Sequence, residues 1–504
     1  MLSRYHLKNR ARLKSHTSRG NFSGKTCFAL LNVLAFALMI AMSTAYVGSG
    51  GNEMQLTMYD NGEVKITLCG YGRAAIDWGS SKSTYKLAGY KTINSYHSSS
   101  QTIKITGDNI TTLEVGGHSL TSLDVSNNTV LTELYVNSIQ LTGLDVSKNT
   151  ALTILYIGRG NLTSLDVSNN TVLTELSVWR TQLTSLDVSK NTALTTLSCC
   201  NNDLLTNLNV SGATALTLLN CGDNPLTSLD VSKNTALTEL SVWRTQLTSL
   251  DVSKNTTLTT LLVQVNNQLT NLNVSGTTAL TSVECRDNKQ LTSLNACGAT
   301  ALTNLKCHQN KLTHLNVSGA TALAELDCRD NQLTSLDVSG ITALTNLVCE
   351  HNQLTSLNVS GATALTELYC RDNQLTSLDV SGITTLTILV CERNQLTSLN
   401  VSGATALTGL FCYNNQLTDL NVSGATALTR LECQNNQLTN LNVSGATALN
   451  RLECQENQLT TEVLNALFGT LKPHGVILTY DNPGASTCDR SIAEKKGWLV
   501  YSGW

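Results

Sequence analysis

The sequence predicts a repeat solenoid built from parallel β-strands on two sides, mostly β with little helix. Its 504 residues exceed what one ordinary core requires, so several domains or a repeat array are expected. From about residue 110 to residue 459 leucine, threonine, asparagine and serine dominate, and leucine recurs at fixed positions. A period this regular is typical of stacked repeats rather than of a disordered chain.

Residues 1–45 have the layout of an export signal. Seven Lys and Arg side chains and no acidic residue precede residue 27, and an apolar run follows to about residue 42. The small residues Ser43 and Ala45 offer a cleavage site before Tyr46, whereas the apolar run extended to Val47 is just long enough to cross a bilayer. The segment is therefore interpreted either as a removable signal peptide or as an uncleaved signal anchor.

Residues 46–107 are predicted to form a small N-terminal β-sandwich. Short segments in which apolar and polar residues alternate, such as 64–68 and 102–105, are separated by clusters of Gly, Asn and Ser. We expect Trp78 to be a core residue of this module rather than a platform for a ligand. The sandwich should also cover the first turn of the repeat array.

The repeat array is predicted to occupy residues 108–459, and residues 365–385 show one complete unit, LTELYCRDNQLTSLDVSGITT. The first half of this unit carries the leucine-rich-repeat signature. With the position of Cys370 as marker we count seventeen turns, which follow one another at intervals of 21 or 22 residues. The marker positions are Val115, Val136, Ile157, Val178, Cys199, Cys221, Val242, Val263, Cys285, Cys307, Cys328, Cys349, Cys370, Cys391, Cys412, Cys433 and Cys454.

Alternation of side chains along a strand defines the interior of each turn. It points Leu368 and Cys370 inward on a first short strand. In the second half of the unit it points Leu378 and Val380 inward, which predicts a second parallel strand on the opposite side. Asn373 and its equivalents are expected to cap backbone groups of the turn from the inside, because those groups cannot reach water.

Residues 460–504 are predicted to form a C-terminal cap, because a bare last turn would expose apolar rows and an open strand edge. Apolar residues at 463, 464, 466, 467 and 468 have the spacing of a helix. A strand at 476–480, a turn at Pro483-Gly484 and the segment 491–496 before Trp498 complete the cap.

Sixteen cysteines in an exported chain would ordinarily indicate disulfides, but their spacing predicts free thiols. Eleven occupy one inward column, where neighbouring strands are about 4.8 Å apart with parallel Cβ vectors. A disulfide prefers a Cβ separation of about 3.8 Å. Val or Ile fills the same position in six turns, which favours packing, and one thiol per turn without a buried His makes a poor metal site. We therefore predict a structural ladder and no cofactor. The ladder consists of Cys199, Cys221, Cys285, Cys307, Cys328, Cys349, Cys370, Cys391, Cys412, Cys433 and Cys454.

Two parts of the sequence resemble known families. The units NQLTSLDVS and LYCRDN look like the Cys-containing repeats of internalin-like bacterial surface proteins, over about 350 residues. This resemblance implies a cysteine ladder and a role as an adhesin. Residues 75–79 and 93–97 resemble the PKD-like or Ig-like modules that precede repeats in bacterial surface proteins.

Function on a solenoid is expected at the outward positions, which vary while the inward ones repeat. Exposed aromatic residues beside Arg are common at recognition surfaces, so we select such residues next to the ladder as candidate ligand-binding residues. Residues 175–192 and 239–256 are identical, so duplication alone also explains the two Trp-Arg pairs. The candidates are Tyr135, Tyr156, Trp179, Arg180, Trp243, Arg244, Arg329, Tyr369, Arg371, Phe411 and Tyr413.

Composition and motifs argue against two classes of function, nucleic-acid binding and catalysis. The balance of 33 Lys and Arg against 36 Asp and Glu provides no basic field for nucleic acid. No phosphate loop, HExxH or GxSxG motif occurs, and we predict that the protein is not an enzyme. The favoured function is an adhesin-like module that binds a protein or glycan of a host or neighbouring cell through the outward face of the repeat sheet. The alternative is a spacer of the cell envelope without a specific ligand. Either would be secreted or displayed at the cell surface as a monomer, with membrane contact only through an uncleaved anchor.

Overall fold

The computed structural model describes residues 52–59, 62–97, 101–117 and 120–503. The predicted export signal at 1–45 lies outside the described residues. Within the described ranges, neither helix has the length and apolar character needed to cross a membrane.

Seven mostly antiparallel strands precede the regular repeats. They are β1 (Glu53–Met58), β2 (Gly62–Asp77), β3 (Lys82–Ala88), β4 (Lys91–His97), β5 (Gln101–Gly107), β6 (Ile110–Gly116) and β7 (Leu120–Asp124). The first half of the long strand β2 pairs with β4 and β6, and its second half pairs with β3 and β5. Strand β1 joins β5 to β7. Met54, Leu56, Ile66 and Ile76 are fully buried between these strands and Trp78 is 6% exposed, which confirms its predicted place in the core.

Strand β6 connects the antiparallel strands to the solenoid. It is antiparallel to β2 and parallel to β8, the first-side strand of the next turn. The main-chain hydrogen bonds of one sheet therefore run without interruption from the N-terminal strands into the repeats, and β2 covers the first turn. The assignment of this region to a PKD-like or Ig-like module stays a prediction.

The repeats form a parallel β-solenoid, as predicted, and it has about 18 turns where seventeen were counted from the sequence. On the second side lie β11, β13, β16, β18, β20, β22, β24, β26, β28, β30, β32 and β34, while the remaining strands from β8 to β35 form the first side. In chain order the strands are β8 (Glu133–Asn137), β9 (Ile154–Gly158), β10 (Glu175–Trp179), β11 (Ser185–Asp187), β12 (Thr196–Ser198), β13 (Asn207–Asn209), β14 (Leu218–Asn220), β15 (Glu239–Ser241), β16 (Ser249–Asp251), β17 (Thr260–Leu262), β18 (Asn271–Asn273), β19 (Ser282–Glu284), β20 (Ser293–Asn295), β21 (Asn304–Lys306), β22 (His314–Asn316), β23 (Glu325–Asp327), β24 (Ser335–Asp337), β25 (Asn346–Val348), β26 (Ser356–Asn358), β27 (Glu367–Tyr369), β28 (Ser377–Asp379), β29 (Ile388–Val390), β30 (Ser398–Asn400), β31 (Gly409–Phe411), β32 (Asp419–Asn421), β33 (Arg430–Glu432), β34 (Asn440–Asn442) and β35 (Arg451–Glu453).

Apolar columns from both sides form the core between the two rows of strands. Leu368 and Cys370 on the first side are fully buried, and Leu378 and Val380 on the second side are at most 3% exposed. Both pairs point inward as the alternation predicted. The same positions are buried in successive turns and form one continuous core, as expected for a solenoid of stacked repeats.

Polar ladders satisfy the backbone inside the turns. The amide nitrogen of Asn373 donates to the carbonyl oxygens of Cys349 and Cys370 at 3.0 and 3.1 Å, and its Oδ1 accepts from the N–H of Leu354 at 3.0 Å. The predicted capping role of Asn373 is thus confirmed. A threonine just before most first-side strands adds another row of hydrogen bonds, in which Thr366 Oγ1 donates to the carbonyl oxygen of Thr345 at 2.9 Å.

A column of left-handed residues follows the ladder position by two residues. From Arg159 to Glu456, one non-glycine residue in each of fifteen turns has a φ between 51° and 62°. This conformation directs the N–H to the next turn, as from Arg393 to the carbonyl oxygen of Tyr413 at 3.1 Å. Asn and Asp tolerate this conformation, whereas a β-branched residue such as Val265 is strained in it.

The C-terminal cap combines α1 (Thr461–Thr470), β36 (Gly475–Leu478), α2 (Ser491–Glu494) and β37 (Trp498–Tyr501). The predicted helix at 463–468 lies within α1, which begins after the N-cap Thr460 and buries Leu464, Leu467 and Phe468. Strands β36 and β37 continue the first-side sheet in parallel register after β35. The cap therefore extends the sheet while its helices cover the last apolar columns.

Candidate functional site

An aromatic cluster lies on the outward face of the first side, in the N-terminal half of the solenoid. The ring centroids of Tyr135 and Tyr156 are 6.2 Å apart, and those of Tyr156 and Trp179 are 6.4 Å apart with the planes at 71°. These separations and angles are favourable for aromatic pairs. Strands β8, β9 and β10 supply one ring each, so the three rings cross three consecutive turns.

Trp179 is held by the turn that precedes it. A Cβ at Gly158 would lie 2.7 Å from the indole ring, so the ring occupies the space that a side chain at this position would fill. The guanidinium carbons of Arg159 and Arg180 each lie 5.7 Å from the centre of the Trp179 ring. Both distances are within the range of cation–π attraction. The indole is therefore fixed by one glycine and two arginines.

Carboxylates also lie near the aromatic rings. The hydroxyls of Tyr135 and Tyr90 donate to Glu133 Oε2 at 3.5 and 3.4 Å. Burial raises the pKa of Glu175, and the charge of Glu133 raises it further. Burial likewise raises the pKa of Tyr135 well above its ordinary value. The cluster thus offers ring faces between carboxylates and guanidinium groups.

The second Trp-Arg pair lies three turns further on, in a cluster of its own. The indole of Trp243 covers Gly222, and the guanidinium carbon of Arg244 lies 5.6 Å from the ring centre. Here the preceding turn supplies Asp223 at the position that Arg159 occupies beside Trp179. The two copies therefore share a sequence but differ in the charge next to the indole.

The C-terminal candidate residues belong to a network of ion pairs. Arg371 Nε lies 2.9 Å from Glu350 Oε1, and Arg371 Nη1 lies 3.9 Å from Glu392 Oε1. Tyr413 donates to Glu392 Oε1 at 3.4 Å, and Tyr369 donates to Glu367 Oε2 at 3.2 Å. Because the side chains of Arg371, Tyr369 and Tyr413 already have partners within the protein, fewer of their hydrogen-bonding positions are available to a ligand.

The two remaining C-terminal candidates are also engaged within the protein. Arg329 Nη2 lies 3.5 Å from Asp327 Oδ2. The ring of Phe411 lies 5.3 Å from the guanidinium carbon of Arg430, which also pairs with Glu432. The structure therefore brings Tyr135, Tyr156, Trp179 and Arg180 together and places the other candidate residues in separate local groups.

The ladder thiols form a packing column. All eleven are fully buried and free, as predicted. Burial raises the pKa of Cys221 and Cys285 to about 12, and the pKa of Cys370 rises still further. A thiol that keeps its proton is a weak nucleophile and a weak metal ligand. The ladder therefore acts as small apolar side chains.

Sequence reasoning missed Arg159 and the two glycines beneath the indoles. The signal was present, because a glycine precedes each Trp by one turn at the same position in the repeat, Gly158 before Trp179 and Gly222 before Trp243. A large ring that lies along the solenoid axis needs this space on its neighbour. Arg159 occupies the same left-handed position as Arg180 and was not identified because no aromatic residue adjoins it in the sequence.

Comparison with known proteins identifies solved structures that are similar to this chain. No protein-family model and no curated protein matches the chain. The functional domain of InlJ from Listeria monocytogenes, whose structure includes a cysteine ladder, is 32% identical; the match covers 72% of this chain and 77% of that chain with a TM-score of 0.48. A leucine-rich-repeat protein from Leptospira interrogans is 22% identical over 75% of this chain and 91% of that chain, with a TM-score of 0.43. The internalin InlF from L. monocytogenes is 22% identical over 69% and 82%, with a TM-score of 0.32.

The repeats and the buried column of thiols define a leucine-rich-repeat solenoid with a cysteine ladder. InlJ, whose structure includes a cysteine ladder, is 32% identical to the chain over more than two thirds of both chains. The chain belongs to the internalin-like leucine-rich-repeat proteins.

Proposed function

We propose that the chain is an exported, adhesin-like binding module that recognises a protein or glycan on the surface of a host or neighbouring cell. The contact surface is the outward face of the first-side sheet around Tyr135, Tyr156, Trp179 and Arg180. The observation that carries the proposal is the series of three aromatic rings on consecutive turns, ending in an indole flanked by two arginines.

The composition and rigidity of this cluster support recognition. Trp, Tyr and Arg are the residue types that dominate binding energy at protein interfaces. Their rings are supported by sheet backbone and by Gly158, so little conformational freedom is lost when a ligand covers them. The same ring faces also suit the apolar face of a sugar, with the carboxylates of Glu133 and Glu175 as acceptors for hydroxyls.

Export is part of the proposal. The basic and apolar segment at 1–45 would direct the chain out of the cell, and the solenoid would then be secreted or held at the surface. A binding role without catalysis agrees with the ladder thiols, which burial keeps protonated.

A binding screen of the full chain tests the proposal. The targets are mucin, matrix proteins and a glycan panel, and the test variant is Y135A/Y156A/W179A. We expect saturable binding that weakens at least tenfold in this variant, since loss of central aromatic residues removes about 2 kcal/mol or more. The matched control is W243A, which removes the same residue from an identical local sequence outside the cluster.

The second candidate function is a spacer of the cell envelope. It is favoured by the identity of residues 175–192 with 239–256, because such copying extends a solenoid without selecting its surface. A spacer would bind no member of the panel. Binding that is lost equally in W243A and in the triple variant would likewise contradict a site at the aromatic cluster.

A further inference from the structure

Two arginines, Arg159 and Arg180, lie beside Trp179. Among the described residues, no ion pair within 4.0 Å involves Arg159 or Arg180. Both guanidinium carbons lie 5.7 Å from the centre of one indole, so two positive charges lie beside the same ring. In the C-terminal half Arg371, by contrast, is paired with Glu350 at 2.9 Å.

The position of the two cations is set by the fold. Arg159 and Arg180 occupy equivalent left-handed positions on adjacent turns, and their backbone N–H groups donate to Trp179 and Asn201. Like charges on adjacent turns repel each other, and each guanidinium group is also attracted to the indole by the cation–π interaction. An anion between the guanidinium groups would remove the repulsion and accept their N–H donors.

We propose that Arg159, Arg180 and Trp179 form an anion-binding subsite that takes an Asp or Glu carboxylate from an acidic segment of a partner protein. This inference rests on the proposed function and names the ligand chemistry at its centre. The guanidinium fork matches a carboxylate in bidentate geometry. Tyr135 and Tyr156 continue the surface with apolar ring faces, as in the aromatic and Arg-rich centres of protein interfaces.

The duplicated block lacks this chemistry. Trp243 and Arg244 repeat Trp179 and Arg180, but Asp223 replaces the first arginine of the pair. Burial raises the pKa of Asp223, and the positive charges of Arg244 and Arg180 oppose this rise, so the carboxylate already interacts electrostatically with both arginines. A second carboxylate from a ligand would be repelled at the copy and attracted at the original.

The experiment uses poly-L-glutamate as the probe and the full chain as the receptor, with binding measured by calorimetry at low and physiological salt. The test variant is R159N/R180N. Asn occupies the same left-handed position at Asn201 and Asn414, so the backbone is preserved. We expect affinity to fall at least tenfold in this variant and by less than twofold in the matched control R244N. Replacement of Asp223 by Arg, D223R, should create a second subsite and double the number of binding sites.

Four results would overturn the inference. They are absence of poly-L-glutamate binding, unchanged binding by R159N/R180N, an equal loss in R244N, and binding of a sulfated glycosaminoglycan in place of poly-L-glutamate. A ligand from the screen that is lost in Y135A/Y156A/W179A but retained in R159N/R180N would leave the proposed function intact and remove only the anionic subsite.

Discussion

The indole of Trp243 lies so close to Gly222 that a Cβ on this glycine would overlap the ring nitrogen. The residues belong to adjacent turns, and the contact repeats between Trp179 and Gly158. A large outward side chain on this solenoid is thus accommodated by the absence of one on its neighbour.

Replacement of Gly222 by Ala should displace the Trp243 indole. The added methyl group requires a shift of the ring, and such overpacking costs about 1–3 kcal/mol of unfolding free energy. Tryptophan fluorescence and urea unfolding would show the change. The control is G143A, because a Cβ at Gly143 meets no atom within 4 Å. In a W243A background G222A should cost far less; an equal cost there would show that the ring is not the cause.

Replacement of Val265 by Asn should stabilise the protein. Val265 has a φ of 62°, which is unfavourable for a β-branched residue by about 1–2 kcal/mol and tolerated by Asn. Thermal and urea unfolding would measure the gain. The reciprocal variant N414V places Val at an equivalent position with a φ of 56° and should lose a similar amount. If both variants unfold like the parent, the left-handed column carries no strain.

Replacement of Asn373 by Ala should destabilise the protein by about 1–3 kcal/mol, because it leaves the buried N–H of Leu354 without its partner. The carbonyl oxygens of Cys349 and Cys370 lose one side-chain donor each but keep Asn352 and Asn394. Urea unfolding would give the loss. Q374A changes the exposed neighbour and should unfold within about 0.5 kcal/mol of the parent. Equal losses of unfolding free energy in the two variants would argue against the capping role of Asn373.

The ladder thiols should make the fold sensitive to alkali. A thiol in the unfolded chain loses its proton near pH 9, whereas burial keeps Cys221 and Cys285 protonated to about pH 12 in the folded chain. Their contribution to stability is therefore complete below pH 9 and is lost as the pH rises towards 12. Each thiol should reduce the unfolding free energy by roughly 1.4 kcal/mol per pH unit in this window.

Urea unfolding between pH 8 and 11 would test this alkaline loss. The matched variant is C221V/C285V, because Val occupies the same position at Val242 and Val263. Its stability should fall less steeply with pH than that of the parent. Parallel pH profiles for the two proteins would mean that the ladder thiols do not contribute to the loss.

Much of the fold could be predicted because the structure of each turn is determined mainly by the sequence of that turn. The inward places of Leu368, Cys370, Leu378 and Val380 follow from alternation, and the capping by Asn373 follows from the need to satisfy a buried turn. Because the repeat unit recurs along the chain, the inward and capping positions found in one turn predict those of the next turn. The continuity of β6 with both β2 and β8 could not be read in this way, because it depends on pairing between strands of different pattern.

The candidate site was predicted only in part because its geometry depends on contacts between turns. Tyr156 precedes the ladder position and Trp179 follows it, so their 6.4 Å contact requires the orientation of the indole towards the previous turn. Arg159 joins the site for the same reason. Arg371 also lies near an aromatic residue in the sequence, Tyr369, yet it directly follows the ladder position and is paired with Glu350 of the preceding turn.

The identical blocks at 175–192 and 239–256 have a consequence for inheritance. Recombination between the gene segments that encode them would delete or insert three whole turns in the correct register. In the shortened product the surviving block would still follow Gly158 and Arg159, so the aromatic cluster would be inherited intact. Such a gene can produce shorter and longer alleles that differ in the length of the solenoid while they keep the aromatic cluster.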